Sequence, residues 1–389
     1  MNEDKSIIAY WQYHKTSTKH QRHGTPTEVN VFATKSALII TSQPVQTIIN
    51  SICNAASGGS KWKHENVPYP YYSEEKEKSG STIVSYKPDL QIVLTEDDLW
   101  KQVQTFNDLD ADILLACLAQ LLKGPRENDE RTVWIFASLL LAYRGIIPVT
   151  KADPSSPSGR RSAGHRKEDL EMINRSMWRI QNLWITLEQT VVDQRKSKRS
   201  KTGPKYMEYT YDERILSVDG LWRQRELDEL PKPGEPPAPP TSPPIGWKIR
   251  AGDWLQVFVD QRQVAYLSQS ILNYDPYHEM WEKRLARYFF FHYRMNGNHG
   301  TLSRNIGTLL DTLSLPVDRR NPTQVTRKPF EKALNRLVKD GHLDSWEYAE
   351  EIEYPRSGWL DTWLSNGIKT TVNPPVKKVS EAVQKVITQ

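Results

Sequence analysis

Apolar positions three and four residues apart recur in blocks along this chain, and the blocks come in threes. In the C-terminal half, Trp281, Leu285, Tyr288 and His292 form one stripe, on a helix opened by Asp275-Pro276. Ile306, Leu309, Leu310 and Leu313 form a second. Phe330, Leu334, Leu337 and Val338 form a third, which stops at Asp340-Gly341, where glycine can take the left-handed cap conformation. The alternation through Leu343, Ser345 and Trp346 then predicts a strand over 342–348.

The N-terminal half predicts a similar order. Thr95-Glu96-Asp97-Asp98 caps a helix, and Leu109, Ile113, Ala116, Leu118 and Leu121 give 108–122 a broad apolar face. Val133 to Tyr143 predicts a second buried helix, with Gly145 ending the apolar run. Leu170, Ile173, Met177, Ile180, Trp184 and Leu187 predict one long helix from Lys167 to about Val192. Strands follow over 206–211 and 214–218. Helix, helix, helix, hairpin is the order of a winged helix. The predicted class is mainly α with small β-hairpins (α+β), as two tandem winged-helix domains over 95–230 and 247–375.

Composition breaks set the rest of the organisation. Eight of the fourteen residues from Pro231 to Pro244 are proline, which predicts an extended Pro-rich linker over 231–246. Another flexible stretch is expected from Asp153 to Arg161. The first ninety or so residues mix polar pieces (14–23, 57–61, 74–79) with strand-like runs at 29–33 and 37–41, and 1–94 reads as a partly disordered extension. Residues 376–389 form a tail.

A chain of 389 residues with 38% hydrophobic residues and thirteen tryptophans can supply more than one core. Lys plus Arg exceeds Asp plus Glu by 52 minus 47, a formal charge of +5 that points to nucleic acid only because it is clustered. Two cysteines, Cys53 and Cys117, indicate no disulfide framework and a reducing, cytoplasmic setting. The N-terminal residues lack a secretory pattern, and the run from Val133 to Val149 is too short for a bilayer and contains Arg144, so no membrane partner is expected.

The clusters fall where a DNA-binding module needs them. The start of the third C-terminal helix carries Arg319, Arg320, Asn321, Thr323, Gln324, Thr326, Arg327 and Lys328 with no acid between them. Arginine pairs bidentately with guanine, Asn and Gln with adenine, and Thr offers a hydroxyl or a methyl. Arg304, ahead of the second helix, joins this candidate set. Pro329 requires this helix either to kink or to start only near Lys328. In the N-terminal half, Arg195, Lys196, Lys198, Arg199, Lys201 and Lys205 stand at the tip of the predicted hairpin, where they can lie along phosphates. The competing reading of both runs is a solvated basic loop.

The run Arg284-Leu285-Ala286-Arg287-Tyr288, with Leu309-Leu310, Arg320-Asn321-Pro322, Phe330-Glu331-Lys332-Ala333-Leu334, Asp340-Gly341 and Trp346, resembles the C-terminal winged helix of plasmid replication initiator proteins. The resemblance covers about 250 to 375, is weaker over about 95 to 225, and is absent from the first ninety or so residues. It implies two winged helices binding repeated origin sites in double-stranded DNA, local duplex opening, recruitment of the replicative helicase, and no catalytic residues. It suits a plasmid-bearing bacterial cytoplasm. The N-terminal module is then expected to add phosphate grip or to pair two protomers as a homodimer. A transcriptional repressor built on the same modules is the regulatory alternative, and a nuclease or primase in the N-terminal region is the enzymatic one.

Catalytic constellations are sparse. Asp108, Asp110 and Asp112 resemble a metal pair, but acids at a helix start favour its dipole, and capping is the expected role. His14, His20 and His23 lie in a polar surround with no cysteine or carboxylate beside them and read as an exposed tail, so neither a metal nor a cofactor is expected. No Gly-rich phosphate loop precedes a Lys-Ser or Lys-Thr pair, and no relaxase-type or recombinase-type set of His, Arg and Tyr is assembled. The aromatic run Tyr288 to Tyr293 is expected in the core, with His292 satisfied there. Trp346, Trp359 and Trp363 are expected to anchor the wing.

Overall fold

The computed structural model describes residues 38–76, 80–88, 94–123, 132–152, 160–162, 164–192, 206–223, 243–255, 265–296, 300–351 and 358–373. Strand β1 (Leu38–Thr41) leads into helix α1 (Gln43–Ala56), where Pro44 sits in the first turn and its missing N–H leaves no gap in the ladder. Helix α1 is rich in β-branched residues, which favour helix little, and it forms because Val45, Ile48, Ile49 and Ile52 are buried together. Strands β2 (Trp62–Lys63), β3 (Tyr71–Lys76) and β4 (Gly80–Tyr86) follow as a meander. Residues 43–86, expected within a partly disordered extension, are thus largely helix and sheet; residues 1–37 lie outside the described residues.

Helix α2 (Glu96–Val103) carries the predicted capping box, with Thr95 Oγ1 accepting from the Asp98 N–H and the Asp98 carboxylate accepting from the Thr95 N–H. Helix α3 (Asp108–Lys123) follows, and every residue from 108 to 119 is buried, the behaviour of a helix apolar on all sides. The run predicted as a second helix divides into strand β5 (Thr132–Phe136) and helix α4 (Ala137–Tyr143). Its Thr-Val-Trp-Ile-Phe segment is β-branched and aromatic throughout, so it favours an extended backbone.

Strands β6 (Thr150–Ala152) and β7 (Arg160–Ser162) pair with each other. Helix α5 (Lys167–Gln181) stops eleven residues short of the expected Val192, and strand β8 (Leu183–Val192) replaces its last turns. Leu183, Ile185 and Leu187 are buried at a spacing of two, so Trp184 and Leu187, assigned to the helix by three-four spacing, belong to a strand. Strands β9 (Tyr206–Arg214) and β10 (Leu216–Arg223) follow.

Beyond the proline-rich stretch, strand β11 (Pro244–Ala251) returns to the N-terminal half and lies between β10 and β5. Pro244 opens it, a position where no ladder donor is lost. A Cβ at Gly246 would stand 2.8 Å from the Phe136 ring, so only glycine fits there. Residues 244–246, expected in the linker, and 247–251, expected in the second domain, therefore belong to a sheet shared with β5; residues 231–242 lie outside the described residues.

Strand β12 (Ala265–Ser268) pairs with β1, and a 3₁₀ turn (Gln269–Asn273) leads to helix α6 (Met280–Met295). Strand β13 (Thr301–Asn305), helix α7 (Ile306–Thr312), a π-helical turn (Thr323–Arg327), helix α8 (Lys328–Lys339), strand β14 (Leu343–Tyr348), helix α9 (Trp359–Ser365) and strand β15 (Gly367–Val372) complete the chain. Gly341 ends α8 at φ 74°, as the Asp340-Gly341 pair predicts. The last three strands form one antiparallel sheet in the order β13-β15-β14, and β2-β3-β4-β8-β9 form another. The fold is mixed helix and sheet, with more sheet than small hairpins alone supply. Among the described residues, no helix is long and apolar enough to cross a membrane.

The two halves meet through buried charge. Asp108 and Asp112, one turn apart on α3, face α6. Arg284 donates from Nε and Nη2 to Asp108 at 3.1 and 2.6 Å, and its Nη1 reaches the carbonyls of Leu313 and Ser314 and the Ser57 hydroxyl at 2.8–3.0 Å. Arg287 pairs with Asp112 and, at 3.5 Å, with Asp108. Lys283 donates to Asp112 at 2.7 Å. Asp110 points the other way and forms a bidentate pair with Arg179 of α5, while also accepting from the Asn107 N–H. The capping role expected of the three acids thus holds only for Asp110, and in part; Asp108 and Asp112 are partners of α6.

Burial raises the Asp108 carboxyl, but Arg284 and Arg287 outweigh it and hold it below the ordinary carboxylate range. Asp110 is pushed up by burial in spite of Arg179. Three cations face two carboxylates across α3 and α6; burial works against the charge on all three, and only Lys283 ends below its ordinary value, against the pull of Asp112.

Asp108→Ala is expected to destabilise the chain by about 3–5 kcal/mol in denaturant unfolding, because it strands Arg284 in the interior, whereas Asp108→Leu with Arg284→Met costs far less. The lowered Asp108 value fixes the pH sense: its contribution is complete above about pH 3.9, the unfolded value, and is lost as pH falls through the lower folded value. The stability gap between wild type and Asp108→Asn should therefore close on acidification.

Candidate nucleic-acid interface

The candidate surface is built on α8 and the turn before it. Asp318 accepts from the N–H groups of Arg320 and Asn321 at 2.6 and 2.9 Å, an Asx cap that turns the chain into the helix and leaves both side chains exposed. Pro322 follows at the helix start. The Lys328 N–H then bonds the Thr323 carbonyl across the wide turn, and Pro329 falls in the first turn of α8, where its missing donor is harmless. The π turn runs directly into α8, which begins at Lys328 with Pro329 in its first turn, the later of the two starts that Pro329 allows.

Phe330, Ala333, Leu334 and Leu337 are fully buried on one face of α8. The opposite face carries Lys328, Lys332, Asn335 and Lys339, all exposed, at successive spacings of four, three and four, with Gln324 one turn ahead. No acid stands on this stripe. Lys332, Asn335 and Lys339 were outside the sequence-derived set, although their helical spacing from Lys328 is visible in the sequence. The helix N-terminus adds partial positive charge at the same end.

The candidate residues divide by environment. Arg319, Arg320, Asn321, Thr323, Gln324 and Lys328 are exposed. Arg319 pairs with Asp361 at 3.0 Å, both groups solvated and the pair correspondingly weak. Thr326 is a correction: it is fully buried, and its Oγ1 accepts from the Asp318 N–H at 2.9 Å and donates to the Pro316 carbonyl, so it shapes the loop and presents nothing to a duplex. Arg304 is half-buried, its guanidinium donating to the Tyr288 hydroxyl at 2.9 Å and to the Ser303 carbonyl.

Arg327 is half-buried. Its Nε donates to Glu331 at 2.7 Å, and its guanidinium lies 6.0 Å from the Trp359 ring centre. Glu331 also accepts from the Tyr348 hydroxyl at 2.6 Å, which in turn accepts from Trp363 Nε1 at 3.0 Å. This chain ties α8 to β14 and α9. Trp363 is fully buried, and Trp346 Nε1 donates to Asn335 at 2.9 Å, so these tryptophans anchor the sheet to the helix as expected. Phe289, Phe290 and Phe291 are core, as predicted, and His292 is half-buried against Tyr288. Arg195, Lys196, Lys198, Arg199, Lys201 and Lys205 lie outside the described residues, between strands β8 and β9 that pair as far as Val192 and Tyr206.

Three substitutions separate shape from contact. Thr326→Val should cost about 1–3 kcal/mol of stability, since it leaves the Asp318 N–H without its partner. Lys332→Ala and Lys339→Ala should leave stability unchanged and each flatten the slope of log affinity against log salt by at most about 0.9. Denaturant titrations and DNA titrations over a salt series measure the two.

No protein family model and no curated protein match the chain. Solved structures similar to it include a crystal structure of RctB domains 2 and 3, at 12% identity and a TM-score of 0.43, covering 82% of this chain and 95% of that one. A second structure of domains 2 and 3 of RctB covers 85% of this chain and 98% of that one, at 14% identity and a TM-score of 0.41. The Pi initiator protein in complex with iteron DNA is similar at 10% identity and a TM-score of 0.41, covering 87% of this chain and 99% of that one. Of these, the last is described as an initiator protein bound to iteron DNA. At these TM-scores the likeness says nothing of what this chain binds.

Proposed function

We propose that this chain is a sequence-specific double-stranded DNA-binding protein of the replication-initiator type, with two winged-helix units, the C-terminal one docking α8 in the major groove. The observation that carries the DNA half is the acid-free stripe of Gln324, Lys328, Lys332, Asn335 and Lys339, presented by a helix whose other face is locked in the core. Its amides and amines suit base edges and phosphates, and an exposed helix flanked by a three-stranded sheet is the form that fits a major groove. The initiator half rests on the resemblance carried by residues 284–288, 320–322, 330–334 and 340–341. In this reading the basic run at 195–205 adds phosphate grip, the chain performs no catalytic step, and it delivers the replicative helicase to repeated origin sites in a bacterial cytoplasm.

Selection from a random duplex pool, followed by footprinting on the DNA flanking the coding gene, tests this. Directly repeated sites that let a plasmid carrying them and the gene replicate are the expected outcome. Inverted sites confined to a promoter would make the chain a repressor, and the absence of any selected sequence would remove the DNA reading altogether.

A further inference from the structure

One exposed side chain in the 319–328 segment differs in kind from its neighbours. Arg319, Arg320, Asn321, Thr323, Gln324 and Lys328 are polar or cationic, yet Val325 stands among them with 38% of its surface open. A second valine, Val317, is exposed to the same degree. The two flank the hydrogen bond from the Asp318 N–H to Thr326 Oγ1 that folds the loop onto the turn. The Val325 N–H bonds the Asn321 carbonyl at 3.0 Å, so Val325 lies one helical turn beyond Asn321, and it precedes Lys328 by three positions, on the side of the stripe.

A β-branched apolar residue gains nothing from solvent on this exposed turn and favours helix little. Its side chain can neither donate nor accept, so it contributes to base reading only by apolar contact. The major groove offers one apolar feature, the C5-methyl of thymine.

We propose that Val325 is a specificity-determining residue that packs on a thymine C5-methyl, so that the recognised site carries a T·A pair beneath the π turn. The inference rests on α8 being the DNA-reading helix. Asn321 and Gln324, beside Val325, can pair with adenine edges, so the same turn favours an A·T-containing step read by amide and methyl together.

The test uses the full chain and the duplex recovered by selection. Each thymine is replaced singly by deoxyuridine, which removes only the methyl, and affinity is measured by fluorescence anisotropy. At one thymine within the α8 footprint, wild type should lose about fourfold in affinity, the worth of one buried methyl group. Val325→Ala should bind the thymine and uracil duplexes equally, and Val325→Thr, which keeps a γ-methyl, should recover part of the discrimination. Melting curves of the variants confirm that they fold. A uracil effect of equal size in wild type and Val325→Ala overturns the inference, as does a selected site without thymine in that footprint. If Lys332→Ala and Lys339→Ala weaken binding while the uracil scan is flat, the inference about Val325 fails alone; if those variants bind like wild type, α8 is not the reader and both readings fall.

Discussion

Arg284 sets the geometry of this protein. It is almost wholly buried, and its Nε and both terminal nitrogens are engaged: a carboxylate on α3, two carbonyls at the end of α7 and a hydroxyl at the end of α1. With Lys283 and Arg287 on the same helix, it faces Asp108 and Asp112 across a buried interface. Such a cluster is an ambiguous source of net stability, because desolvation offsets much of the attraction. Its directional effect is firmer. Any shift of α6 along α3 leaves uncompensated charge in the interior, so one register of the two helices is favoured over every other.

That register passes outward to the exposed surface. Helix α6 carries β13 through the Tyr288–Arg304 contact and holds the end of α7 through Arg284, and α8 packs on α6 through residues that include Trp281 and Phe330. From the opposite side, the chain Trp363, Tyr348, Glu331, Arg327 fixes α8 to the sheet. A helix held on both flanks presents Lys328, Lys332, Asn335 and Lys339 from a fixed backbone, which leaves only their side chains to order on contact with a ligand.

Much of this was legible in the sequence, and the failures have physical causes. The C-terminal helices were visible because each has one apolar stripe and a cap signal, as in Phe330, Leu334 and Leu337 ending at Gly341. The strand at 183–192 was hidden because Ile180, Trp184 and Leu187 satisfy three-four spacing while Leu183, Ile185 and Leu187 satisfy alternation, and only burial decides between them. The partners of Asp108 and Asp112 lie more than 170 residues away, beyond any local pattern. Helix α1 has a sequence that favours helix weakly, so it was invisible without the core that stabilises it. In the candidate site, composition singled out an end of a helix that the structure shows to be mostly exposed. It could not show that Thr326 faces inward, whereas the continuation of the stripe to Lys339 was legible as helical spacing, although outside the sequence-derived set.

The central claim is that the outer face of α8 lies in the major groove. Cys53 and Cys117 are buried, so a single exposed thiol can be labelled selectively. A photoactivatable crosslinker attached through Lys332→Cys should join to bases of the selected duplex, while the same label through Trp178→Cys, on the exposed side of α5, should not. Crosslinking from position 178 but not from 332, with binding intact in both, would contradict the claim.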